Sequence, residues 1–389
     1  MTAKAPSRAR STTRRRAVGR DNGPALVLLA VAAALTLMGL VMVLSASFVQ
    51  AARNYGSSWY VFNRQLLWTA IGAAAMVAAA RVDYRHLRRL AGPLLVVTAG
   101  LLVLVLIPGV GITSGGSTRW LGAGSVRMQP SELAKFAIVL FTADLLTRRA
   151  GEMDDARATT RPVLIVAIAL AALMMSQPDL GTAILVVGIA GAMLFVAGTR
   201  LRVVGGLALA GVAGTLVLAR VEPYRWERLT AFLDPWADVG NTGYQAAQGL
   251  VALGSGQLTG TGLGASRAKW GFLPAAHTDF IFAIIGEELG LVGTLSVVVL
   301  FTVLAVVLVR TAVRAPDRFG TLLVSGVAAW LVGQAVVNIG SVIGLLPITG
   351  VPLPFVSAGG SSLVITLTAI GVAYNVCRQS RAPRRAPAR

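Results

Sequence analysis

Cysteine and histidine are almost absent from the 389-residue chain. Cys377 is the single cysteine, so no disulfide can form within the chain. The sequence has two histidines and neither an HExxH nor a CxxC pattern, which argues against zinc or iron chemistry. It also offers no G-x-S-x-G motif to accompany His277, so a serine hydrolase is not supported.

Charged residues are also scarce, at 13% of the chain, whereas they make up about a quarter of an average soluble domain. Hydrophobic residues make up 55%. This balance predicts an integral membrane protein. The net charge of +19 would favour nucleic acid as a partner of a soluble protein. Its distribution instead favours membrane topology and contact with lipid headgroups, so we expect no nucleic-acid binding.

Apolar runs near the length that spans a bilayer, about 20 residues, recur along the chain. They predict an all-α polytopic membrane protein with ten transmembrane helices. The predicted spans are 24–48, 61–80, 90–107, 130–147, 162–177, 180–198, 201–219, 279–309, 319–345 and 361–378. The eighth is longer than a bilayer requires, so we expect it to tilt or to extend beyond the bilayer.

Basic residues are distributed unevenly between alternate loops. Most of the 35 Lys and Arg residues fall in segments that face the cytoplasm if the N-terminus does. The positive-inside rule therefore predicts that both termini are cytoplasmic. Residues 1–23 and 379–389 are basic and lack apolar periodicity, which predicts two cytoplasmic tails, the first of them disordered. The predicted membrane domain covers 24–378.

We predict three outer loops, at about 108–129, 220–278 and 346–360. The second joins the seventh and eighth spans, is too long for a simple connector, and is rich in aromatic residues. Such residues are typical of short helices at the membrane interface, although simple anchoring of the loop explains each aromatic equally well. In the third loop, Pro347, Pro352 and Pro354 interrupt a helix, and Gly359 and Gly360 permit a tight re-entry.

Acidic side chains within or beside the apolar runs are the first functional candidates, because ionisable groups at membrane depth are costly. They are Glu132, Asp179, Asp279, Glu287 and Glu288. The first three lie toward the predicted outer face, so a shared cavity in the outer leaflet is the simplest explanation. The last two lie deeper in the eighth span, where we expect a role in helix packing or conformation.

Glu132 and Lys135 are three residues apart and share a helix face. Two interpretations stay open. The pair is either a buried ion pair that fixes helix packing, or a cationic site in which Glu132 orients Lys135 toward an anionic headgroup. Arg119 and Arg127 add positive charge in the preceding loop. Three cations beside a lipid cavity suit a diphosphate.

Asp179 and Asp279 each have two interpretations as well. Asp179 follows Pro178 in a very short turn, where capping of the next helix is the favoured explanation. Asp279 is either an acid in the first turn of the eighth span or a partly desolvated general base. His277 and Thr278 beside it favour the second interpretation.

Six stretches together resemble the SEDS family (shape, elongation, division and sporulation), and within it the cell-division branch. They are TRWLGAGSVRMQPSELAKF at 118–136, QPDLGTA at 177–183, RLTAFLDPW at 228–236, GYQAAQGLVALGSGQLTGTGLGASRAKWGFLP at 243–274, HTDFIFAIIGEELGLVG at 277–293 and LPITGVPLPFVSAGGSS at 346–362. Ten spans and cytoplasmic termini agree with this resemblance.

The resemblance implies a peptidoglycan glycosyltransferase of the bacterial plasma membrane that polymerises the lipid-linked precursor lipid II at the division septum. The implied partners are lipid II, a class B penicillin-binding protein transpeptidase, other division proteins and membrane lipids. Asp279 is the implied catalytic residue. We predict that substrate is bound by Arg119, Trp120, Arg127, Glu132, Lys135, His277 and Thr278. Weaker or structural candidates are Asp179, Gln245, Pro352, Ser357, Gly359 and Gly360.

The expected reaction is a single inverting displacement. Asp279 takes the proton of the acceptor's 4-hydroxyl, and undecaprenyl diphosphate leaves with its charge stabilised by Arg127, Lys135 and Arg119. No cofactor is required by the sequence. A magnesium or manganese ion bridging Asp279 and the diphosphate is compatible with hard oxygen ligands. Three alternatives stay open: a lipid II flippase or transporter, an elongation-type polymerase, and a non-catalytic scaffold for division proteins.

Overall fold

The computed structural model describes residues 23–380 except 115–116, 124–125 and 222. Almost all of both predicted tails therefore lies outside the described residues. A helix occupies each of the ten predicted spans. These helices are α1 (Gly23–Tyr55), α2 (Tyr60–Arg81), α3 (Ala91–Val105), α4 (Pro130–Arg148), α5 (Thr160–Met175), α6 (Leu180–Val196), α7 (Leu201–Val221), α10 (Ile281–Val313), α11 (Arg318–Val342) and α12 (Gly360–Gln379).

Five helical stretches in the described part of the chain are long and apolar enough to cross a membrane. They are Gly23–Tyr55, Tyr84–Val105, Ile281–Val313, Arg318–Val342 and Gly360–Gln379. Large apolar side chains lie exposed on the outer faces of the bundle; Val96, Leu209 and Val313 are 71%, 72% and 78% exposed. Apolar exposure of this extent suits lipid rather than water. The chain is a helical, multi-pass membrane protein.

Helix α4 lies inside the bundle, in contact with α3, α5, α6, α11 and α12. Its side chains from Ala134 to Leu140 are almost completely buried. A helix that is apolar on all sides is expected at such a central position. Its buried polar residues, Glu132 and Lys135 among them, are shielded from water and lipid and depend on protein groups as partners. This position determines the environment of Glu132 and Lys135.

The first outer loop departs from the all-α prediction, because it contains a small antiparallel sheet. Its strands are β1 (Ile112–Ser114), β2 (Ser117–Ala123) and β3 (Val126–Met128), in the order β1-β2-β3. Trp120 pairs with Ile112, and Arg127 pairs with Gly122. The sheet thus carries Arg119, Trp120 and Arg127 directly before α4 begins.

The second outer loop contains two short helices, α8 (Pro223–Leu233) and α9 (Tyr244–Ser255). Helix α9 packs against α10. Residues 256–270 then run alongside α10 and end in a 3₁₀ turn, Ala268–Trp270. We call residues 256–270 the strap.

Helix α10 is interrupted at Gly290, where φ is 66° and ψ is −158°. The eighth predicted span therefore consists of two helical pieces, 281–289 and 291–313. The break offers another explanation for the excess length of this span, besides the expected tilt or extension beyond the bilayer. The positive φ favours glycine. A Cβ at this position would also collide with the Gly260 amide. Only glycine fits both conditions.

The strap satisfies the backbone groups that the break leaves without helical partners. The Thr261 amide donates to the Glu287 carbonyl at 2.9 Å, and the Leu291 amide donates to the Gln257 carbonyl at 2.9 Å. Non-helical backbone at membrane depth is stable only when protein provides such partners. The break and the strap therefore depend on each other.

Candidate active site

Asp279 lies two residues before the start of α10, which begins at Ile281 after the N-cap residue Phe280 and has no acidic residue in its first turn. The interpretation of Asp279 as a first-turn acid is therefore wrong. His277, Thr278 and Asp279 are all half-buried. The Oδ2 atom of Asp279 lies 3.7 Å from where a Cβ on Gly350 would lie, so the third outer loop flanks the carboxylate.

The three consecutive carbonyl oxygens of residues 277–279 each accept a hydrogen bond. The donors, in order, are the Ala358 amide at 2.9 Å, the Ser357 hydroxyl at 2.6 Å and the Asn338 side-chain amide at 2.8 Å. The Ser357 hydroxyl also accepts from the Leu353 amide at 2.8 Å. The backbone that carries Asp279 is thus fixed by α11 and by the third outer loop.

The two predicted re-entry glycines have different environments. Gly359 has an extended φ of −176°, so the turn does not itself require glycine there. Its amide donates to Oε1 of Gln65, at 3.2 Å. Gly360 is required by close approach instead, because a Cβ there would collide with the Trp68 ring. The re-entry is therefore held by contacts with α2.

Glu132 and Lys135 form a completely enclosed ion pair. Lys135 Nζ lies 2.8 Å from Glu132 Oε1, and the Lys135 side chain is 0% exposed. The ammonium also donates to Gln334 Oε1 at 2.7 Å and lies 5.4 Å from the centre of the Trp330 ring. The ion-pair interpretation therefore holds for this structure, and Lys135 has no surface available to an incoming anion. The second oxygen of Glu132, Oε2, is buried without a hydrogen-bond partner among the described residues.

Arg119 and Asp179 are also occupied by protein groups. The Asp179 side chain caps α6 by accepting from the Thr182 amide, as favoured from the sequence. Arg119 lies 3.7 Å from the Asp179 carboxylate, and its guanidinium donates to the carbonyls of Gln177 and Pro178. Arg119 therefore holds the β2 strand onto the turn between α5 and α6.

Arg127 differs from the other two predicted cations. No hydrogen bond or ion pair joins its guanidinium to the described residues, and its Nε atom is buried without a partner. Trp120 is half-buried on the neighbouring strand. Of the three cations that the sequence suggested for a diphosphate, Arg127 alone keeps its hydrogen-bonding capacity within the described part of the chain.

Gln245 lies at the edge of a mostly apolar cavity of about 230 Å³ beneath the second outer loop. The cavity is lined in part by Tyr244, Pro274 and Leu346. The Gln245 side chain donates to the Pro274 carbonyl at 3.4 Å. This contact ties α9 to the segment that leads into Asp279 and gives Gln245 a structural role.

Four buried polar atoms, three on predicted site residues and one on Asn338 of α11, lack hydrogen-bond partners among the residues that the structure describes. They are Arg127 Nε, Glu132 Oε2, His277 Nδ1 and Asn338 Oδ1. A buried polar group without a partner costs about 1–3 kcal/mol, and more when it is charged. Burial also lowers the pKa of the His277 imidazole, so its neutral form is favoured. We call Arg127, Glu132, Lys135, His277 and Asp279 the outer site.

Gln334 and Asn338 also belong to this region, and neither is among the residues predicted from the sequence. Gln334 donates to the Pro352 carbonyl at 2.7 Å and accepts from Lys135. Asn338 donates to the Asp279 carbonyl. The signal that could have found them is their occurrence as polar amides within the apolar α11, since such side chains at membrane depth hydrogen-bond between helices.

Glu287 and Glu288 are almost completely enclosed, at 3% and 0% exposure, and the strap holds both of them. Glu288 Oε1 lies 3.1 Å from Lys269 Nζ and accepts from Ser45 of α1 at 2.6 Å. Glu287 Oε2 accepts from Ser266 at 2.5 Å, and its Oε1 accepts from the Arg267 amide at 2.7 Å. Each carboxylate oxygen has a donor. We call Ser45, Ser266, Lys269, Glu287 and Glu288 the strap cluster.

No group of three or more His, Cys, Asp or Glu side chains that could hold a metal ion occurs among the described residues. In that part of the chain, Asp279 lacks the neighbouring ligands of a protein-only cage. The predicted magnesium or manganese ion would depend on diphosphate and water for its other ligands.

The family model described as "Cell cycle protein", FTSW_RODA_SPOVE, matches residues 25–382. Among curated proteins, the chain is 42% identical to the probable peptidoglycan glycosyltransferase FtsW of Geobacter metallireducens, over 90% of this chain and 94% of that one. It is also 42% identical to stage V sporulation protein E of Bacillus subtilis, over 93% and 99% of the two chains. Its identity to the probable FtsW of Mycobacterium tuberculosis is 44%, over 96% and 71%.

Solved structures show the same fold. One, described as "Structural coordination of polymerization and crosslinking by a peptidoglycan synthase complex", matches with a TM-score of 0.74 and 30% identity, over 92% of this chain and 98% of that chain. The rod shape determining protein RodA of Thermus thermophilus matches with a TM-score of 0.67 and 28% identity, over 92% and 97%.

Proposed function

We propose that this chain, a member of the FTSW_RODA_SPOVE family of cell cycle proteins, polymerises lipid II on the outer face of the bacterial plasma membrane. Its enzyme class is peptidoglycan glycosyltransferase. The named relatives support the reaction class. The site assignment rests on the contacts of the third outer loop. This loop connects residues 277–279, which we call the Asp279 segment, to the start of α4. Gly350 of this loop flanks the Asp279 carboxylate. Ser361, directly after the loop, accepts from the Gln129 amide at 3.2 Å.

In the proposed reaction, Asp279 accepts the proton from the 4-hydroxyl of the acceptor sugar. That oxygen attacks the anomeric carbon of the lipid-linked donor, and the bond to undecaprenyl diphosphate breaks with inversion. Arg127 stabilises the charge that develops on the leaving diphosphate, since its guanidinium is available for forked hydrogen bonds. Lys135 contributes through the field of its ion pair and through its contact with Gln334, which places the third outer loop.

The proposed arrangement in the membrane has ten spans and both termini in the cytoplasm. The positive-inside distribution of Lys and Arg supports this orientation. The outer site then faces the side on which the cell wall is built. We also propose a role at the division septum and a class B penicillin-binding protein as partner. Support comes from relatives named FtsW and from the solved neighbour described as a peptidoglycan synthase complex.

The decisive experiment is polymerisation of fluorescent lipid II by purified protein, with and without the partner transpeptidase, followed by gel separation of glycan strands. Replacing Asp279 with Asn should lower the polymerisation rate about 10²- to 10⁴-fold, because the carboxylate acts as general base. Full activity of Asp279→Asn would reject the assignment. Translocation of lipid II in liposomes by a protein that forms no polymer would instead indicate a transporter.

The same assay tests the proposed divalent cation. If an ion bridges Asp279 and the diphosphate, chelation should abolish polymerisation. Addition of magnesium or manganese should then restore it. Unchanged activity under chelation would remove the ion from the proposal and leave Asp279 as a base acting alone.

A further inference from the structure

Two side-chain amides on α11, Gln334 and Asn338, lie on one face of the helix because they are four residues apart. Both are almost completely buried, at 1% exposure each. Each makes hydrogen bonds to a different part of the site and to neighbouring carbonyls of the third outer loop. They can therefore determine how the Glu132–Lys135 pair, the Asp279 segment and the third outer loop lie relative to one another.

Asn338 uses both hydrogens of its amide nitrogen. Nδ2 lies 2.8 Å from the Asp279 carbonyl and 2.8 Å from the Val351 carbonyl. Two carbonyl acceptors can be met only by an NH₂ group, so the orientation of the amide is determined by its partners. Val351 follows Gly350, which flanks the Asp279 carboxylate. One amide thus joins the backbone that carries the carboxylate to the loop beside it.

Gln334 makes the corresponding contacts one turn earlier. Its Oε1 accepts from Lys135 Nζ at 2.7 Å and from Trp330 Nε1 at 2.9 Å. Its Nε2 donates to the Pro352 carbonyl at 2.7 Å. Val351 and Pro352 are consecutive residues. Gln334 therefore connects the ion pair on α4 to the Pro352 carbonyl, and Asn338 connects the Asp279 segment to the neighbouring Val351 carbonyl. Both side chains belong to one helix, α11.

We infer that Asn338 is a positioning residue that holds the Asp279 carboxylate in its reactive geometry, with Gln334 holding the Lys135 side of the site to the same loop. This inference rests on the proposed role of Asp279 as general base. A displacement of about 1 Å in a catalytic group can lower the rate about 100-fold. The amide donors of Asn338 prevent such a displacement at the Asp279 backbone.

The test uses two variants of similar volume that lack the NH₂ donor, Asn338→Asp and Asn338→Leu, in the lipid II polymerisation assay. We expect kcat to fall about 10- to 100-fold in both, while KM for lipid II stays within about twofold. Ser341→Ala is the matched control, because Ser341 lies about one turn further on α11 and bonds only carbonyls of its own helix. It should retain the parental kcat.

Thermal unfolding in detergent accompanies each kinetic measurement, so that a misfolded variant is recognised. The Leu variant keeps the test possible if the added carboxylate of the Asp variant prevents folding. A folded Asn338 variant with unchanged kcat, or with a change confined to KM, would overturn the positioning role. Asp279→Asn is measured in parallel. Its full activity would reject the proposed base, whereas an inactive Asp279→Asn beside a fully active Asn338→Leu would reject only the positioning inference.

Discussion

The outer site and the strap cluster both bury carboxylates and a lysine, yet their hydrogen bonding differs. In the strap cluster, Ser45, Ser266, Lys269 and backbone amides of the strap provide donors to every oxygen of Glu287 and Glu288. In the outer site, Arg127 Nε, Glu132 Oε2 and His277 Nδ1 have no partner among the described residues. One region is complete within the protein, and the other has unused hydrogen-bonding capacity.

This difference separates two reasons for placing charge at membrane depth. Sequence reasoning treats all such charges as functional candidates because each is costly. The costs are offset in the strap cluster by protein groups, which indicates a structural role in holding the strap against α10. In the outer site the cost of Lys135 is offset by Glu132 and Gln334, but Arg127 Nε and His277 Nδ1 are not matched by the described residues, and a ligand could supply their partners. A diphosphate and a sugar hydroxyl have the required chemistry.

Removing one charge from the strap cluster should have the largest effect on stability. Glu288→Gln leaves Lys269 buried without its counter-charge, and breaking a buried pair from one side costs about 3–5 kcal/mol. Thermal unfolding in detergent should show a markedly lower midpoint. The double variant Glu288→Gln with Lys269→Met should recover part of the loss. A wild-type midpoint for Glu288→Gln would contradict the structural role of this pair.

Arg127→Gln should have a smaller effect, and on substrate rather than on stability. Hydrogen bonds to charged groups contribute about 1.5–3 kcal/mol, so KM for lipid II should rise about 10- to 100-fold at an unchanged unfolding midpoint. Arg119→Gln is the matched comparison in the same sheet. Because Arg119 binds Asp179 and two carbonyls, its replacement should lower the midpoint and leave KM nearly unchanged. If Arg119→Gln instead raised KM and Arg127→Gln lowered the midpoint, Arg119 would be the substrate-binding residue and Arg127 the structural one.

The smallest effect concerns pH. Burial lowers the pKa of His277 below its ordinary value of 6.5, so the unfolded chain takes up a proton that the folded chain resists. The stability associated with neutral His277 is present above about pH 6.5 and is lost as the pH falls toward the folded pKa, by at most about 1.4 kcal/mol per pH unit. His277→Gln should reduce the shift of the unfolding midpoint between about pH 7.5 and pH 5.5, a window that brackets the ordinary histidine pKa.

His86→Gln serves as the control for this measurement, because His86 is exposed and lies in the short segment between α2 and α3. It should keep the acid sensitivity of the parental protein. An equal loss of acid sensitivity in both variants would show that burial of His277 does not contribute.

The helices were predictable from sequence because a membrane restricts the possible structures. A chain in lipid must satisfy its backbone hydrogen bonds internally, so each long apolar run becomes a helix. The break at Gly290 was not predictable in the same way, because a glycine in a helical pattern is usually tolerated and the neighbouring Gly286 and Gly293 stay helical. The sheet carried no such signal, because neither ITS nor STRWLGA alternates polar and apolar residues along its length.

Sequence alone thus determined the membrane class, the helix positions, the family and Asp279 as the catalytic candidate, because these depend on local composition and on contiguous motifs. Only the tertiary structure decided which charges are paired. Lys135 meets Gln334 across 199 residues, and Glu288 meets Ser45 across 243. Partners so distant in sequence are brought together by helix packing, which no local pattern encodes. For the same reason, Arg127 emerged as the unpaired cation of the described site, and Asn338 as the anchor of Asp279, only when the helices were assembled.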